Sequence, residues 1–62
     1  MTPAELRDRA EDLARIHRTV EQIGLLIPDD SGHAEAAKAR LFSAADDIAR
    51  AKDLLKRHLG MA

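Results

Sequence analysis

Apolar residues recur along the first part of the chain at alternating steps of three and four: Leu6, Leu13, Ile16, Val20, Ile23 and Ile27. Only one place in the series is polar, Arg9, with Ala10 beside it. This spacing keeps one apolar stripe on a helix. It predicts a heptad pattern with Leu6, Leu13, Val20 and Ile27 at one core position and Ile16 and Ile23 at the other. The start of the helix is marked by Thr2 as cap, Pro3 at the first helical position and Glu5 completing a T-x-x-E capping box. Proline disfavours helical geometry in the residue ahead of it, so the helix is expected to span about 3–27, with Gly24 a point where fraying starts earlier.

Pro28, Asp29, Asp30, Ser31 and Gly32 form a dense cluster of turn residues. Asp30 or Ser31 is placed to cap a second helix, and Glu35 then sits near its positive end. That helix is expected over about 33–59. Ala34, Leu41, Ile48 and Leu55 are seven apart, and Ala37, Ala44 and Ala51 form a second seven-residue series between them. Lys56, Arg57 and His58 fall in the last turn, where cations suit the helix dipole, and Gly60 is a natural stop. Acid-before-base pairs four apart (Glu5 with Arg9, Glu11 with Arg15, Asp46 with Arg50, Asp53 with Arg57) are expected to add a few tenths of a kcal/mol each.

Two helices of similar length joined by a short polar turn predict an all-α fold, an antiparallel hairpin forming one domain over residues 1–62. With the turn centred near residue 30, opposed residues should have numbers totalling about sixty, placing Val20 opposite Leu41 and Leu13 opposite Ile48. The second helix carries more apolar surface than one seam uses. Its small residues at 37, 44 and 51 also permit close approach of another helix. The expectation is a homodimer, a coiled-coil-like four-helix bundle, with an interface formed by Ala37, Leu41, Phe42, Ala44, Ala45, Ile48, Ala49, Ala51 and Leu55. Phe42, the one aromatic residue, is the candidate anchor.

Composition sharpens this picture. The chain has 62 residues and no cysteine, so neither a disulfide nor a thiolate zinc site can brace a small core. Much of the 45% hydrophobic fraction is alanine, which leaves less apolar area for a core than the figure suggests. The net charge of −1 shows no global basic excess of the kind expected in a nucleic-acid binder. The longest apolar run, Leu25-Leu26-Ile27, is far too short to span a bilayer, and the first residues have no basic-then-apolar signal pattern. A cytoplasmic location is the default expectation, and the Ala- and Arg-rich usage hints at a bacterial source.

Candidate chemistry is sparse. His17, His33 and His58 lie mid-helix, at the turn end and at the open end, so one chain does not converge them on a metal. His17 is expected to flank the core with its ring in water. Asp46 and Asp47, as helix neighbours, point about a hundred degrees apart and do not form a paired-carboxylate site. Asp29 and Asp30 belong to the turn. Gly24, Gly32 and Gly60 are isolated and make no phosphate loop, and Ser31 and Ser43 have no evident base beside them. No catalytic residue, metal or cofactor is expected, and an enzyme is not the expected class. Arg7, Arg15 and Arg18 are expected on the outer face of the first helix, where they could touch phosphates although Asp8, Glu11 and Glu21 interleave with them; Arg15 and Arg18, with Lys52, Lys56 and Arg57, are the residues a nucleic-acid reading would use.

In architecture and turn position the plan resembles the plasmid repressor-of-primer (Rop) proteins, helical hairpins that dimerise into a four-helix bundle and bind RNA. No motif is shared, and no aromatic residue occurs on the first helix to match an RNA-contacting face. Three functions are weighed: a small non-enzymatic interaction protein (a homodimeric adaptor, chaperone or regulator), a Rop-like nucleic-acid-binding regulator, and a helical partner subunit of a larger protein complex.

Overall fold

The computed structural model describes residues 2–60. Met1, Met61 and Ala62, the ends of the expected 1–62 span, lie outside the described residues. Two helices, α1 (Pro3–Leu26) and α2 (Gly32–His58), pack against each other as a hairpin. The caps anticipated above are present. Thr2 accepts the Glu5 backbone N–H at 3.2 Å, and its hydroxyl donates to Glu5 Oε1 at 3.1 Å. Here the Glu5 carboxylate closes the box through the Thr2 hydroxyl. Of the two candidates for the second cap, Ser31 is the one used: its hydroxyl accepts the Ala34 N–H at 3.1 Å. Gly60, with φ +72°, donates its N–H to Arg57 O at 3.0 Å, the left-handed termination that glycine permits.

Gly24 is no fraying point. It is buried within α1, which runs two residues past it to Leu26. A Cβ built there would lie 3.2 Å from Cζ of Phe42, so the missing side chain is the space into which the Phe42 ring fits. Two core expectations change. Phe42 packs on α1 of its own chain. The buried residues are Ala10, Gly24 and Ala45, while Ile16 and Ile23 are 47% and 48% exposed. The second core position of α1 is therefore held by Ala10, His17 and Gly24, four residues after each of Leu6, Leu13 and Val20, with Ile16 and Ile23 on its rim. At Ala10 and Gly24 a small residue is favoured because helix backbones approach closest where side chains are smallest.

Register differs as well. Gly24 meets Phe42, and Lys38 reaches Ile27, so the numbers of touching residues total 66 and 65. Relative to the expected total of about sixty, α2 slides by roughly five residues, or ~7 Å at 1.5 Å per residue. The cause lies in the turn. Ile27 (ψ 122°) and Ser31 (φ −155°, ψ 160°) are extended, so the connection travels onward before α2 begins. The overhanging start of α2 then carries Lys38 back over the end of α1. Its Nζ donates to Ile27 O at 3.4 Å and to Asp29 Oδ1 at 3.3 Å. α1 has no basic residue in its own last turn, so Lys38 supplies the cation that the negative helix end favours. In this register Val20 comes level with Ala45, and Leu13 with Lys52.

None of the four anticipated i,i+4 ion pairs forms among the described residues. Asp12 instead takes Arg9 at 3.3 Å and also pairs with Arg15, and Asp47 takes Arg50 at 3.6 Å. These are largely solvated i,i+3 contacts and contribute little to stability.

Candidate interaction surfaces

The seam divides the hairpin into two unlike faces. One flank of α2 lies three positions after the heptad series of Ala34, Leu41 and Ile48. Ala37, Ala44 and Ala51 stand there, and all three are exposed. The equivalent sites on α1 are Arg9, Ile16 and Ile23, also exposed. The other flank begins one position after the heptad site: Arg7, Ala14 and Glu21 on α1, with Phe42, Ala49 and Lys56 on α2. Ala14 and Lys56 line one cleft, so these latter flanks lie on the same side of the hairpin. In an antiparallel pair the remaining flanks must then share the opposite side, which brings Ile16 and Ile23 together with Ala37, Ala44 and Ala51. Half-buried Leu13, Val20, Leu41, Ile48 and Leu55 form the floor between them. This apolar face was not legible from α2 alone, because half of it is carried by α1.

The nine residues of the anticipated interface are thus divided. Leu41, Ile48 and Leu55 are half-buried in the seam of the hairpin, and Ala45 is 2% exposed between the helices. Phe42 and Ala49 are half-buried on the cleft side. Ala37, Ala44 and Ala51 are exposed on the apolar face.

Basic residues are divided too. Arg15 and Arg18 flank Thr19 and Gln22 on the outer surface of α1, and Arg57 lies beside Arg50, Asp53 and Leu54 on α2. Lys52 and Lys56 instead meet Arg7 across the open end of the hairpin, around a cleft of about 200 Å³ whose lining is completed by Ala10, Glu11 and Ala14. The five residues of the nucleic-acid reading are not gathered on one surface. Arg7, expected beside Arg15 and Arg18 on the outer face of the first helix, instead lines the cleft with Lys52 and Lys56, because the packing of the two helices turns it toward α2.

His17, expected to flank the core, is half-buried. Its Nδ1 lies 3.2 Å from Glu21 Oε1 one turn on, which gives the half-buried ring a polar partner. Among the described residues no cluster of three or more His, Asp or Glu side chains is placed to hold a metal ion. No described helix is long and apolar enough to cross a membrane. Comparison of the chain with protein-family models, curated proteins and solved structures gave no significant match.

Proposed function

We propose that the chain is a non-enzymatic interaction protein that self-associates through the apolar face, two hairpins forming a four-helix bundle. The observation that carries this reading is the poverty of the hairpin's own core. Among the described residues the buried hydrophobic ones are two alanines, Ala10 and Ala45, and no large side chain is fully buried. Small folds with neither disulfide nor metal ordinarily recruit a partner surface.

Size favours a second copy as that partner. The hairpin exposes 4675 Å². A compact monomer of the same mass exposes about 4,000 Å². The surplus of roughly 700 Å² is close to the ~800 Å² each partner contributes to a stable interface. The radius of gyration, 14.3 Å, likewise exceeds the ~11 Å of a compact chain of this length. Ile16, Ile23, Ala44 and Ala51 carry no charge, and Arg9 at the end of the same flank is paired with Asp12 of its own helix at 3.3 Å, so the middle of the face has no sign to complement. A twofold axis can pair it with itself, the alanines of one copy receiving the isoleucines of the other. An adaptor or regulatory role would then use the surfaces the bundle leaves outside.

Sedimentation equilibrium at micromolar concentration is expected to give twice the 6.8 kDa chain mass. Ile16→Asp combined with Ala44→Glu should weaken association at least a hundredfold, since it buries unpaired like charges. A monodisperse wild-type monomer with cooperative unfolding would overturn self-association.

A further inference from the structure

The cleft at the open end of the hairpin lies on the side away from the apolar face, and neither the fold nor self-association accounts for it. All seven arginines are exposed, whereas all three lysines, Lys38, Lys52 and Lys56, are half-buried. Lys38 has its partners, Asp29 and the Ile27 carbonyl. Lys52 and Lys56 have no carboxylate within ion-pair distance among the described residues, and neither does Arg7. These three cations and one acid, Glu11, surround the methyl groups of Ala10 and Ala14. A half-buried ammonium is held most favourably when an anion meets it.

We propose that this cleft binds an anionic amphiphile, its head group between Lys52, Lys56 and Arg7 and its short aliphatic chain over Ala10 and Ala14. The volume supports the class. The cleft, at about 200 Å³, is somewhat larger than the ~150 Å³ cavity known to accept benzene. It therefore has space for a short chain as well as a head. Only three cations converge, and no aromatic side chain lines the cleft to stack a base, so a nucleic-acid strand is a poorer fit. The cleft stands independently of self-association, because its lining excludes every residue of the apolar face.

The test titrates the full chain with octanoate, followed by backbone amide shifts, alongside acetate and 1-octanol. Saturable shifts centred on Ala10, Ala14, Lys52 and Lys56 are expected with octanoate. Acetate should not saturate, and octanol should bind at least tenfold more weakly. K52Q/K56Q should weaken octanoate binding tenfold or more, while R50Q/R57Q, which removes two exposed cations elsewhere on α2, should leave it unchanged. A parallel arm measures co-sedimentation with phosphatidylglycerol vesicles. Vesicle binding that octanoate competes away assigns the same chemistry to a lipid source as well as to free acid. Vesicle binding without octanoate shifts at the cleft would overturn the proposal as general surface adsorption. Equal affinity for octanol, unchanged binding by K52Q/K56Q, or shifts centred on Ile16, Ile23 and Ala44 would overturn it too.

Discussion

The two ends of the hairpin solve one packing problem in opposite ways. Each sets a small residue of α1 against a longer side chain of α2. Near the turn, Gly24 receives the Phe42 ring, and a Cβ there would approach it to 3.2 Å. At the open end, Ala10 and Ala14 line a cleft together with half-buried Lys52 and Lys56. The first pairing closes the gap between the helices and the second leaves a cleft. The same register and helix geometry therefore give a sealed end and an open one. The close aromatic contact lies near the turn, and the space available to a ligand lies away from it.

Three substitutions test this contrast, all measured by chemical denaturation at one fixed chain concentration, because association contributes to apparent stability. Phe42→Ala should have the largest effect, a loss of about 2 kcal/mol, below the ~3–5 kcal/mol of a fully buried phenylalanine because the ring is half-exposed. A loss under about half a kcal/mol would mean that the turn end is not the anchored one. Lys38→Met should cost about 1 kcal/mol by removing the cation at the end of α1 while keeping the aliphatic stem. Unchanged stability would show that the extended turn holds the register without it. Lys52→Leu should act in the other direction, stabilising the hairpin by about 0.5–1 kcal/mol as apolar surface replaces a half-buried ammonium. A destabilisation would show that the open end is already well packed by lysine stems.

The element boundaries were nearly all legible in the chain itself. Thr2, Pro3 and Glu5 mark one helix start, Ser31 the other, and Gly60 the final stop, because capping chemistry acts over three or four residues and needs no distant partner. The interaction surfaces were less legible. The heptad series identified Ile16 and Ile23 as apolar, but assigned them to the inside. It also marked Lys52 and Lys56 as basic without bringing them to Arg7. Both depend on how α1 and α2 are rotated and slid against each other.

Two helices, their starts and stops, and the broad apolar stripe of each follow from the order of residues, because local hydrogen bonding and side-chain periodicity suffice for them. Which part of the stripe faces inward, and in what register, follows only from the packing of one helix on the other. A stripe several residues wide can meet a partner along either edge at similar apolar cost. Close backbone approach at Ala10, Gly24 and Ala45, with the extended path from Ile27 to Ser31, selects one edge and one offset. That selection turns Ile16 and Ile23 outward beside Ala44 and Ala51, and opens the cleft beneath Lys52 and Lys56.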